Sequence, residues 1–251
     1  MRPTPRAAQL HGPLLALLEL VRRDLLAGGG FEPASSTRRF TVSLSDVGTY
    51  VLWPTIARTL RQRAPGVTPR LVQMPPADIA AALEEGTVDV AIGAYPGLPS
   101  ALYQRRLYER HFVALVRAGH PLAGRRLTAA ALAGAAHVAV RSPSGTQARL
   151  DEELARLGLT RQVALELPSY LMVPPMLDAG DYLAIVPGQL ADAFRRHGGY
   201  ASLKLPVPLP PSVVRLHWHR RFHDDPASRW LRSTLLSELA GPGAGAETIA
   251  P

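Results

Sequence analysis

From Phe40 to Ser45 apolar and polar residues alternate: Phe40, Val42 and Leu44 against Thr41, Ser43 and Ser45. This two-residue period predicts a half-buried strand over Arg39–Ser45. At Ser45-Asp46 the rhythm changes. Val47, Leu52, Ile56 and Leu60 then fall near helical spacing, and Pro65-Gly66 stops the run, which predicts one helix over Val47–Arg63. A strand Arg70–Met74, a helix Ala77–Glu85 ended by Gly86, and an apolar strand Val88–Gly93 follow. Strands alternating with helices imply parallel strands joined by crossovers. Ligands in such sheets sit beyond the carboxyl ends of the strands, where Ser45-Asp46 and Ala94-Tyr95 fall.

The breaker cluster Tyr95–Ser100 marks a crossover into a second unit of the same kind. Phe112–Val116 reads as a strand, HVAV as another, and a helix starts at about Gly145. RQVALELPSYLMVPPML repeats strand, turn and helix; YLAIVPG is a buried strand, VVRLHWHRR an alternating one, and PASRWLRSTLLSELA a last amphipathic helix. At the other end, Leu10, Leu14, Leu17, Leu18, Val21 and Leu25 line one face of a helix ended by Gly28-Gly29-Gly30. Phe31–Arg38 is a linker, and residues 241–251, rich in Gly, Ala and Pro, are expected to be disordered.

Composition narrows the classes. The chain has 251 residues, 47% hydrophobic and 19% charged, enough to bury a core. It has no cysteine, which removes disulfides and thiolate metal sites and fits the cytoplasm. A net charge of +8 invites nucleic acid, but the cations are scattered, and all except Lys204 are arginine. No stretch approaches the ~20 apolar residues of a membrane span. Glu19, Arg22, Arg23 and Asp24 break the leading apolar run too early for a secretory signal.

Candidate chemistry gathers at helix starts. Asp46 is an N-cap in the plain reading; in the functional one, Ser45 and the helix amides meet a ligand. Ser142, Ser144 and Thr146 repeat the form, as do Ser169 and Tyr170. Three such starts facing one cleft favour an anionic group, with Met74, Tyr95 and Tyr170 as apolar walls. Trp53 and Trp218 are assigned to packing. His217, His219 and His223 could form a metal set, but the adjoining arginines repel a cation, and a solvated strand face is preferred. There is no GxSxG, HExxH or Walker motif, so neither an enzyme nor a nucleotide site is expected, and no cofactor.

Several runs together resemble the effector-binding region of LysR-type transcriptional regulators. They are SDVGTYVLWPTIARTLRQRAPGV, LEEGTVDVAIGAYP, LVRAGHPLA and RQVALELPSYLMVPPMLDAGDYLAIVPGQLA, in the family's order. RFHDDPASRWLR resembles the branch that regulates aromatic degradation and nodulation. RPTPRAAQL is similar to the stretch where that family's winged helix-turn-helix gives way to a linker helix.

The resemblance implies two Rossmann-like α/β subdomains of the type 2 periplasmic-binding-protein kind, with an effector in the cleft between them. It implies a linker and dimerisation helix over 1–30, subdomain I over 39–102 with 225–240, and subdomain II over 103–224. It adds His217 as a contact near the cleft and an aromatic character for the anionic effector. It also implies a homo-oligomer, dimer or tetramer, formed through residues 10–25 and the subdomains. DNA is a partner only if the native protein carries the helix-turn-helix, from which this chain reads as truncated; no membrane partner is implied. A secreted solute-binding protein of the same fold is the alternative.

Overall fold

The computed structural model describes residues 4–21, 30–95, 97–141, 146–207, 209–240 and 248–249. In chain order the elements are α1 (Pro5–Val21), β1 (Arg39–Leu44), α2 (Asp46–Val51), α3 (Trp53–Arg63), β2 (Thr68–Val72), α4 (Pro76–Glu85), β3 (Val90–Gly93) and β4 (Leu102–Arg110). Next come β5 (Phe112–Arg117), α5 (Ala129–Gly134), β6 (Ala136–Val140), α6 (Thr146–Arg156) and β7 (Gln162–Leu167). The chain continues with α7 (Val173–Asp178), β8 (Tyr182–Pro187), α8 (Gly188–Arg196) and β9 (Tyr200–Leu203). It closes with β10 (Ser212–His219), α9 (Pro226–Leu239) and the short β11 (Thr248–Ile249).

The strands form two open mixed sheets, ordered β11-β4-β10-β3-β1-β2 and β7-β6-β8-β5-β9. β1 runs parallel to β2 and β3, and β6 runs parallel to β7 and β8, as the alternating pattern predicts. The strands that link the units are antiparallel: β10 lies between β3 and β4, and β5 pairs with β8 and β9.

The sheet order divides the strands differently from the expected subdomain boundaries. β4 belongs to the first sheet, so the chain crosses over at Arg110–Phe112 rather than after residue 102. It returns between β9 and β10, so that β10 (Ser212–His219) also lies in the first sheet. β4 escapes a periodicity reading because LYQRRLYER buries Leu102, Leu107 and Arg110 without strict alternation. The tail also differs from expectation at Thr248 and Ile249, which pair with Arg105 and Gln104 of β4.

The helix expected over Val47–Arg63 is two helices meeting at Leu52. Pro54 has no N–H for the Tyr50 carbonyl, and its ring crowds that turn. Pro69 sits inside β2, which is tolerated because β2 is an edge strand.

β1 is buried on both faces. Phe40, Val42 and Leu44 pack against Ile56 and Leu60 of α3 and Leu231 and Leu235 of α9. Each fully buried aliphatic there stabilises the fold by roughly 1.5–3 kcal/mol. Thr41 and Ser43, read from the alternation as the outward row, are 7% and 1% exposed. Their neighbour on the next strand, Ala91, packs in the cluster of Ile79 and Leu83 of α4.

Phe31 pins the linker to the first unit, its ring 5.0 Å from Trp230 and 5.7 Å from Phe40. Before it, α1 presents Leu10, Leu14, Leu15, Leu17 and Leu18, each at least 40% exposed. Leu25 and Gly28-Gly29, at the end of the expected helix, lie outside the described residues.

Candidate functional site

Four strand ends converge between the sheets. β1 gives way to Ser45-Asp46, β2 to Gln73-Met74-Pro75, β3 to Ala94-Tyr95, and β7 to Pro168-Ser169. They enclose a cleft of about 310 Å³ lined by Leu44, Ser45, Asp46, Gln73, Met74, Pro75, Pro76 and Tyr95 from the first unit and Pro168 and Ser169 from the second. Of the sequence candidates, Ser45, Asp46, Met74, Tyr95 and Ser169 are thus brought together. Ser142 and Ser144 lie outside the described residues, as does the side chain of Thr146, which opens α6.

The roles of Ser45 and Asp46 are exchanged relative to the plain expectation. Ser45 has extended backbone (φ −73°, ψ 172°), and its Oγ accepts from Gly48 N at 3.3 Å, so Ser45 is the N-cap. Asp46 is already helical and its carboxylate reaches across the cleft. Asp46 Oδ2 accepts from Ser169 Oγ at 3.1 Å and from Tyr170 N at 2.8 Å. Asp46 Oδ1 accepts from Val47 N at 2.8 Å.

Two of the three helix starts therefore do not stand open to an anion, and the third, at residues 142–145, lies outside the described residues. The Gly48 amide is taken by the Ser45 cap and the Tyr170 amide by Asp46. The Tyr170 side chain is not a cleft wall. It is fully buried in the second unit's core, and that burial raises its phenol pKa.

Tyr95 closes the floor. The far edge of its ring comes so close to Gly93 that a Cβ there would stand 2.4 Å from Tyr95 Cζ, and the ring would have to shift. Its hydroxyl donates to the Ile92 carbonyl at a long 3.4 Å, and burial pushes its pKa up to about 12. Behind it stands His217, with ring centroids 5.6 Å apart. His217 is 2% exposed, and burial pulls its pKa down to about 4, with the Gly93 carbonyl opposing and the Arg215 charge assisting.

The HWH strand is thus buried, not solvated. His219 Nδ1 accepts from Arg221 N at 3.3 Å, and His223 Nδ1 accepts from the Trp218 indole at 3.3 Å. Among the described residues no three His, Asp or Glu side chains are grouped to hold a metal.

Arg110, which the sequence reading did not single out, does not line the cleft but acts on Tyr95 through its charge. It ends β4 at the crossing, is 7% exposed, and its Nε donates to Ser212 Oγ at 3.2 Å on the returning strand. Its charge reaches both units, drawing down the phenol pKa of Tyr95 and of Tyr170 against the effect of burial. The available signal was an arginine immediately before the apolar run HFVALV.

Comparison with known proteins gives one answer. Residues 33–240 match the LysR substrate binding domain. The chain is 34% identical over 235 residues to the HTH-type transcriptional activator NahR of Pseudomonas putida, covering 94% of this chain and 78% of that one. It is 30% identical to the HTH-type transcriptional activator NagR of a Ralstonia species, with the same coverage. A crystal structure of a probable transcriptional regulator from Pseudomonas aeruginosa superposes with a TM-score of 0.74 at 28% identity, covering 96% of this chain and 80% of that one.

Proposed function

We propose, because this chain belongs to the LysR family of transcriptional regulators, that its cleft senses a small anionic effector with an aromatic body and passes occupancy on to transcription. The two-sheet fold is the type 2 periplasmic-binding-protein-like fold of that family's regulatory domains. Family membership replaces the alternative of a secreted solute-binding protein.

The observation that carries the reading is the Asp46 bridge, a carboxylate on one unit held by Ser169 and Tyr170 of the other at the cleft. A molecule entering there competes with or reinforces that bridge. Binding is thereby coupled to how the units sit together. Leu44, Met74, Pro75, Pro76, Tyr95 and Pro168 offer apolar walls. Arg110, rather than the Gly48 and Tyr170 amides, supplies the positive potential that favours an acid. The effector is bound and not converted, and the protein works in the cytoplasm without a cofactor.

Titration calorimetry with benzoate and benzamide tests the anion. Benzoate should bind about tenfold more tightly or better, as expected for a charge-assisted contact, and Arg110→Gln should erase the difference. Equal affinities for the acid and the amide would refute an anionic effector.

The partners follow the family. α1 is proposed to pair with its counterpart in a second copy, because its leucines are exposed and an isolated helix of this length is marginal in water. DNA contact would come through a helix-turn-helix segment. No helix among the described residues is long and apolar enough to cross a membrane. Deleting residues 1–30 should move the sedimentation coefficient toward the monomer; an unchanged mass would remove α1 from the interface.

A further inference from the structure

We propose that Ser43 and His217 form a second, deeper recognition point beneath Tyr95, which takes an uncharged hydroxyl group of the effector. The inference rests on the cleft being the effector site.

Ser43 of β1 and His217 of β10 are both register partners of Ala91 on the strand between them. Directly opposed residues project to the same face of a sheet, so the three side chains stand in a row with only the Ala91 methyl in the middle. Ser43 is 1% exposed and His217 2%, yet neither Ser43 Oγ nor His217 Nε2 makes a hydrogen bond of ordinary geometry; Ser43 meets only the Tyr95 phenol, whose pKa it draws down. Buried polar atoms of this kind are uncommon in folded proteins and call for an explanation.

The chemistry of the pair selects its guest. Burial keeps the imidazole neutral at physiological pH. A neutral ring and a serine hydroxyl together offer donors and acceptors but no charge. A carboxylate placed there would be desolvated with no cation bonded to it, Arg215 and Arg110 acting only through their charge, whereas a hydroxyl both donates and accepts. Tyr95 separates the pair from the cleft: one side of its ring faces His217 and the residue also lines the cavity. Gly93 at the far edge of the ring has no side chain to trap it, and the bond from the Tyr95 hydroxyl is long. Turning the Tyr95 ring aside would open the pair to the cleft.

Calorimetry on the full chain with benzoate, 3-hydroxybenzoate and 4-hydroxybenzoate tests the proposal. At least one hydroxylated acid should bind about five- to tenfold more tightly than benzoate, the gain typical of a neutral hydrogen bond. The double variant Ser43→Ala, His217→Leu should remove that advantage, so that the hydroxylated acids bind no more tightly than benzoate does to the same variant. His217→Gln, which keeps a donor and an acceptor, should restore part of it in the Ser43 background. If the double variant fails to fold, the single variant Ser43→Ala is read the same way. An advantage that survives the substitutions overturns the assignment. Benzoate binding without any hydroxyl advantage overturns it too, while leaving the cleft as the effector site. Failure of all three acids to bind overturns both.

Discussion

Acidification from pH 7 to pH 4 should remove about 3 kcal/mol of folding stability through His217 alone, given an unfolded pKa of 6.5 and a folded one of about 4. Between those values the unfolded chain binds the proton and the folded chain does not. The contribution is therefore complete above the unfolded pKa, is lost as the pH falls through it, and levels off below the folded value. The cause is the burial of the imidazole behind Tyr95. His137, also pulled down by burial, acts in the same sense, while Asp89, pushed up by burial, acts in the opposite one. The informative quantity is thus the difference in urea-unfolding free energy between wild type and His217→Gln across this range. Identical pH slopes would mean that the folded protein protonates His217 without penalty.

Asp46→Ala should cost about 1.5–3 kcal/mol, toward the lower figure because the residue is half-buried, and should loosen one unit from the other. The substitution strands the Tyr170 amide, which sits above a fully buried tyrosine ring. Asp46→Asn keeps an acceptor without the charge and should fall between the two. Hydrogen exchange at the Tyr170 amide reads the bridge directly. Protection there that is unchanged in Asp46→Ala would show that the contact does not hold the units together.

Much of this was legible in the chain. The switch from two-residue to helical period at Ser45-Asp46 located one wall of the cleft, and the strand ends before Met74 and Tyr95 located another. What escaped was non-local. Ser43 reads as the outward row of a strand unless one knows that α4 covers that face. Tyr170, polar at its tip and next to a helix start, reads as a wall until its ring is seen in the core. Asp46 and Ser45 look interchangeable as caps, and only the distance to Tyr170, 124 positions along the chain, separates their roles. Arg110 has no motif; its importance comes from standing where two strands pass between the units.

That crossing also has a consequence for synthesis. β10 fills the gap between β3 and β4, and its first residue pairs with Arg110, 102 positions earlier. A ribosome therefore releases β1 to β4 with the centre of their sheet missing, and the strands β5 to β9, continuous in sequence, close first. Contacts so distant in the chain form slowly. Until residues 212–219 emerge, β3 and β4 each offer a bare edge to any neighbouring nascent chain. A translational pause or proteolytic cut just upstream of Ser212 should thus favour aggregation far more than one placed after Leu239.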